Sequence, residues 1–298
     1  MKIEALLRFP VLLCVPVIAA FAANEEAIKR DIPYSTNGGV TLKLDVYQPP
    51  KKSGQPAPAA VYIHGGGWRN GNKSSGAWVT DVTAELLGRG YVVVAVDYRL
   101  APAHQWPAFI HDVKAAVRFV RAHAGEYNID PERIGAWGSS AGGHLVALLG
   151  TTDAKAKLEG EGGWADQSSR VQAVVDLFGP ADLVKSMRNE GRASEVFGSK
   201  PDALEQASPI NYVSKDDPPF LILHGDADTL VPPEQSRLLH ERLKAAGVPS
   251  TLVIVKSGGH GLRTAGIVPT KPEMVKMIGD FFDEHLRKAS AKQQRKPL

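Results

Sequence analysis

Apolar and polar positions alternate from Val40 to Pro50 (VTLKLDVYQPP), the pattern of a half-buried strand. KKSGQPAPA follows as a turn-rich break. AAVYIHGGGW then reads as a buried strand running into glycines, and YVVVAVDYRL (Tyr91 to Leu100) as a second, nearly continuous apolar strand of the kind buried inside parallel sheets. Between them GAWVTDVTAELLGRG has helical spacing and stops at Gly90. Val113, Ala116, Val117 and Val120 recur at i, i+3, i+4 and i+7, which predicts one apolar helix face. The alternation continues with the strand RIGAWG, a helix from Ala141, and the strand VQAVVDLFG (Val171 to Gly179). Strand PFLILHGD, helix PPEQSRLLHERLKAAG, strand STLVIVKSGG and helix KPEMVKMIGDFFDEHLRK complete it. Such alternation means right-handed crossovers and an α/β fold with a mostly parallel sheet covered by helices on both faces.

Two segments interrupt the rhythm, Thr151 to Arg170 and Pro180 to Asp217. Both leave the end of a strand-helix unit at which ligands bind in open α/β sheets, and residues 180–217 are read as a small cap over that end. The 298 residues, 43% of them hydrophobic, suit one domain, taken as 23–298. A net charge of +3 from 35 basic and 32 acidic residues gives no field that argues for nucleic acid or an anionic membrane as partner. No coiled-coil seam or interface stripe fixes an oligomeric state.

The N-terminus changes the picture. Lys2 and Arg8 precede an apolar run from Phe9 to Ala22, and Ala20 and Ala22 supply small residues for cleavage. Residues 1–22 therefore read as a secretory signal peptide, with a secreted or periplasmic product and no stable membrane insertion after cleavage. Cys14, the sole cysteine, lies inside that segment, so the mature chain is expected to have no disulfide, thiolate nucleophile or zinc-thiolate site. No cluster of His, Asp and Glu has ligand spacing, and neither metal nor other cofactor is expected.

The chemistry-bearing residues gather at strand ends. Gly138-Ser139-Ser140-Ala141-Gly142 lies between a predicted strand and helix, the setting of a nucleophile elbow. In that tight turn the central residue is strained and exposed and its neighbours two places away must be small, which selects Ser140 over Ser139. The backbone N–H of Ala141, at a helix N-terminus, would face developing negative charge. A hydroxyl needs a base, and the base needs an orienting group. LILHGDADTLVP places Asp226 and Asp228 after a buried strand, and VKSGGHGL places His260 in a glycine-flanked loop after the last one. In YIHGGGW the consecutive glycines leave N–H groups open to a ligand, which makes Gly65 and Gly66 candidates to complete an oxyanion hole with Ala141. Trp68 and Trp137 adjoin these motifs as candidate pocket walls, with core packing the alternative. His64 is expected to buttress its loop, and His144, one turn beyond Ser140, to be packed or hydrogen-bonded.

At HGGGW, DYRLAP, GSSAGGHL, FGPADL and LHGDADTLVP the chain resembles the α/β-hydrolases, and among them the bacterial esterases that include the acetylxylan- and feruloyl-esterase-like (BD-FAE-like) group. The resemblance runs from about Leu42 to Leu286, and its H-G-x-x-D-x-x-V pattern places the triad acid at Asp228. Hormone-sensitive-lipase-like esterases share the glycine loop, but this chain has Ser139 where they carry an acidic residue and little room for their N-terminal cap. The resemblance implies ester hydrolysis through an acyl-enzyme, on short acyl (acetyl) or aromatic (feruloyl-type) esters, with plant polysaccharide among the candidate carriers. A prolyl-oligopeptidase-like peptidase or an arylformamidase-like amidase shares the same triad motifs, and a catalytically silent binding module shares the fold.

Overall fold

The computed structural model describes residues 27–50, 54–187 and 189–287; the expected signal peptide and its cleavage point lie outside the described residues. Eight strands form one sheet in the order β1-β2-β4-β3-β5-β6-β7-β8. β1 (Ile28–Asn37) and β2 (Val40–Tyr47) make an antiparallel edge, β2 pairs antiparallel with β4 (Val92–Val96), and all other neighbours run parallel. The parallel portion comprises β4, β3 (Ala57–Ile63), β5 (Ile129–Ser139), β6 (Ala173–Leu177), β7 (Phe220–Gly225) and β8 (Ser250–Val255).

The hydrophobic pattern explains how the sheet is covered. Successive strand side chains point to opposite faces, so Val92, Val94 and Val96 of β4 join one apolar layer and Val93 and Ala95 the other. The first layer packs against α2 (Ala108–Ala122), α3 (Ala141–Thr151) and α7 (Glu234–Ala245), and the second against α1 (Val79–Gly88) and α8 (Lys271–Phe282). Val113, Ala116, Val117 and Val120 all face the first layer and are fully or almost fully buried. At roughly 1.5–3 kcal/mol for each fully buried large aliphatic side chain, these two layers are the main force holding helices to sheet.

β1 is an element that the hydrophobic pattern does not announce. It is an edge strand with most side chains at least partly exposed, its register with β2 is broken twice, and the hairpin turns at Gly38 and Gly39, both at positive φ.

The two interrupting segments fare differently. Residues 151–170 fold against α2 and β1: buried Lys114 bonds the Glu159 carboxylate at 2.7 Å, Arg118 bonds it at 2.9 Å, and Ser35 donates to the Gly162 carbonyl. They contribute nothing to the cavity described below. Residues 180–217 contain the short helices α4 (Leu183–Ser186), α5 (Glu190–Phe197) and α6 (Ala203–Gln206) and lie over the strand ends that carry the candidate site. Arg69 pairs with Glu195, Gln105 donates to the carbonyls of Ser194 and Glu195, and Phe197 packs edge-on against Trp68, fastening α5 down.

Candidate active site

Ser140 sits between the end of β5 and the first turn of α3 with φ 56° and ψ −118°, a conformation a serine adopts only under constraint. The constraint is packing. A Cβ on Gly138 would stand 2.6 Å from the Gly142 carbonyl oxygen, and one on Gly142 would stand 2.7 Å from that of His64. The two glycines flanking the Ser139-Ser140-Ala141 turn are thus required by the backbone on either side. Gly143 lies against Gly179 and the Asp176 carboxylate in the same way, which lets α3 approach the end of β6. Backbone bonds from Ser140 N–H to the Leu177 carbonyl and from His144 N–H to the Ser140 carbonyl hold the turn.

Three strand ends bring the expected residues together. Ser140 Oγ lies 3.0 Å from His260 Nε2, and His260 Nδ1 lies 2.7 Å from Asp228 Oδ2. Asp226 is exposed and its carboxylate takes no part, so of the two acids the geometry selects Asp228. The other oxygen of Asp228 accepts the N–H groups of Leu230 and Val231, each at 2.9 Å. Burial alone would raise the Asp228 pKa, but hydrogen bonds from His224, His260 and the Val231 N–H outweigh it and hold the carboxyl well below the usual range. An ionised carboxylate on Nδ1 fixes the tautomer that leaves Nε2 free to accept the Ser140 proton. Phe178 packs edge-on against the His260 ring, with centroids 5.0 Å apart.

His224 belongs to this arrangement and was not among the residues singled out from sequence. It is fully buried on β7; its Nε2–H faces the Val231 carbonyl at 2.8 Å and Asp228 Oδ2 at 3.3 Å, and Nδ1 pairs with the Ser236 hydroxyl. It heads the H-G-x-x-D-x-x-V pattern that places Asp228, but that pattern does not reveal that the next loop turns the carboxylate back onto it.

The glycine triplet lines the other side. Gly65 borders the nucleophile, with its Cβ position 3.5 Å from Ser140 Cβ. Gly66, at φ +115°, opens a turn in which its carbonyl accepts from Arg69 and Asn70. Gly67, at φ +62° and one residue beyond the expected pair Gly65 and Gly66, is the member that lines the cavity beside Ser140. Among the described residues the N–H groups of Gly65, Gly66, Gly67 and Ala141 meet no acceptor. His64 buttresses the loop as expected, stacking on Tyr98 and bonding the Gly65 carbonyl at 2.7 Å.

The two tryptophans part company. Trp68 lines the cavity and donates its indole N–H to His144 Nδ1 at 3.2 Å. Trp137 does not reach it. It is fully buried on the α1 and α8 face of the sheet, against Tyr62, because its place in β5 points it away from α3. His144, also fully buried, bonds the Ala207 carbonyl of the overlying segment through Nε2. Burial lowers its pKa to about 4, so it is neutral at pH 7 and acts as a structural bridge.

The cavity, of about 240 Å³, has Ser140 in its lining. Its size suits a short acyl group with the remainder of a substrate in solvent. A buried carboxylate, an imidazole and a hydroxyl in a hydrogen-bonded row, beside unpaired N–H groups, can add a nucleophile to a carbonyl and hold the resulting oxyanion.

A family model described as BD-FAE matches residues 44–243. The esterase LipC of Mycobacterium tuberculosis is 32% identical over 257 residues, covering 83% of this chain and 62% of LipC. The chain thus spans about three-fifths of that relative's length, and 66% of esterase LipQ from the same organism. Among solved structures, a truncated form of a carbohydrate esterase from gut microbiota superposes with a TM-score of 0.77 at 33% identity, covering 88% of this chain and 98% of that one. The thermophilic esterase Est2 of Thermogutta terrifontis, solved with propionate bound, gives 0.73 at 29% identity, covering 89% and 96%. Thermogutta esterase 2 has also been solved phosphorylated by paraoxon.

Proposed function

The chain belongs to the BD-FAE family and has the α/β-hydrolase fold, and from that premise we propose that it is a serine carboxylic-ester hydrolase working through an acyl-enzyme. The observation that carries the reading is the continuous row from Asp228 through His260 to Ser140, with hydrogen-bond distances of 2.7 and 3.0 Å.

In the first step His260 Nε2 takes the Ser140 proton while Oγ attacks the ester carbonyl, and Asp228 stabilises the imidazolium. Ala141 and the glycine triplet donate N–H groups to the oxyanion, with Gly67 added to Gly65 and Gly66 by its position on the cavity. The imidazolium protonates the departing alkoxide, and the acyl group remains on Ser140. Water, deprotonated by His260, then attacks the acyl carbon and releases the acid with Ser140 restored.

The modest cavity and the propionate held by the Thermogutta esterase support short acyl groups; the carbohydrate-esterase neighbour supports an acyl group carried on a carbohydrate. The N-terminal pattern supports action outside the cytoplasm, on an extracellular or periplasmic ester.

The test is Ser140→Ala. It should lower kcat on p-nitrophenyl acetate by at least about a thousandfold with the circular dichroism spectrum unchanged, and a fluorophosphonate should label the native protein at Ser140 alone. Turnover by the folded variant at the native rate overturns the mechanism. Cleavage of an aminoacyl-proline amide or N-formylkynurenine in preference to acetate esters overturns the assignment to esters.

A further inference from the structure

The walls of the cavity are chemically unlike each other. The loop after β7 supplies Leu230, Val231 and Pro232, with Leu230 60% exposed, a large apolar side chain offered to solvent at the mouth. The overlying segment supplies Ser186, Asn189 and Arg192 beside the apolar Pro180 and Met187, so it carries most of the polar groups of the lining.

Among the described residues that line the cavity, Arg192 is the one that carries a formal charge. Its guanidinium rests on the glycine loop: a Cβ on Gly67 would lie 2.5 Å from Nη2. Among the described residues the guanidinium of this exposed arginine has neither an ion pair nor a hydrogen bond. Glu195 is taken by Arg69 and Asp182 by Lys185, each at 3.0 Å, and the Asn189 side-chain oxygen caps α5 through the Arg192 backbone N–H. Across the same lining, Ser186 Oγ is buried with no hydrogen-bond partner. An orphaned buried hydroxyl costs free energy unless a ligand satisfies it, and a planar guanidinium matches the two oxygens of a carboxylate. One guanidinium and one hydroxyl suit a monoanion. Because both line the 240 Å³ cavity that holds Ser140, whatever they bind lies within a few atoms of the bond being cut.

We propose that Arg192 and the Ser186 hydroxyl form a carboxylate-binding subsite, so that the protein prefers esters bearing a free carboxylate close to the scissile bond. The inference rests on the esterase reading and deepens it. Leu230 and its neighbours then receive the apolar half of the substrate.

Two matched pairs test it, one for each half of the ester: mono-p-nitrophenyl succinate against its methyl-capped diester, and para-acetoxybenzoate against its methyl ester. In at least one pair the ratio of kcat/KM for charged over neutral ester should fall about fivefold to tenfold in Arg192→Gln, chiefly through KM. Arg192→Lys should restore part of the ratio, Ser186→Ala should lower it by about threefold, and added salt should lower it in the native protein but not in Arg192→Gln. Ratios in Arg192→Gln equal to the native ones for both pairs, or charged and neutral esters declining together, overturn the subsite. If the native protein cleaves the neutral esters with those unchanged ratios, only this inference falls. If it cleaves none of the four, the esterase reading falls and takes the inference with it.

Discussion

His144 should make the protein acid-sensitive in a way that one substitution removes. It lies fully buried on α3, accepting the Trp68 indole N–H and bonded to the Ala207 carbonyl, and burial lowers its pKa from 6.5 to about 4. A histidine depressed on folding stabilises the native state fully above its unfolded value and loses that contribution as pH falls toward the folded value. The window is therefore pH 6.5 to 4, and the loss across it is about 3 kcal/mol, a sizeable part of a typical 5–15 kcal/mol stability. Protonation also removes the acceptor for Trp68, next to Gly67. The assay is urea unfolding followed by tryptophan fluorescence, native against His144→Gln, from pH 7.5 to 4. The variant starts lower because its packing is disturbed, and the native protein should lose about 3 kcal/mol more than the variant on acidification. Asp176 works in the opposite direction: burial raises it to about 6, so its contribution is lost as pH rises from 3.8 through 6. It is present in both proteins and cancels in the difference. Parallel stability curves would refute the reasoning.

Two further expectations follow from the site. Gly142→Ala places a methyl group against the backbone oxygens of both Ile63 and His64, and should cost 3 kcal/mol or more or abolish soluble expression; Gly88→Ala, with nothing within 4 Å, should be neutral or stabilising in the same thermal melts. A Gly142→Ala protein that melts with the native one would show that the elbow is not tightly packed. His224→Gln weakens the support of Asp228 and should lower kcat by about tenfold with KM little changed. An unaltered kcat would confine His224 to a packing role.

The candidate catalytic row was legible because each member follows an apolar strand, buried in β5 and β7 and half-buried in the edge strand β8, and such strands end at one edge of a parallel sheet. Ser140 could be picked from the glycines alone, whereas Asp228 over Asp226 needed family resemblance until the loop geometry was seen. What stayed hidden has physical causes. β1 lacks alternation because an edge strand buries little. Trp137 was drawn to the site by chain proximity, although the two-residue period of β5 turns it to the other face. Helices of four to eight residues carry too little periodicity for Ser186 and Arg192 to be placed over the cavity.

The overlying segment departs from the sheet after β6 and returns at β7, and it supplies none of Ser140, Asp228 or His260. On the proposed reading, discrimination among substrates and the machinery of bond cleavage are therefore encoded in separable stretches of chain. Transplanting a relative's version of this stretch should retune preference without rebuilding the proton path, provided that a main-chain acceptor survives where Ala207 meets His144 and that two amide groups still reach the Gln235 side chain.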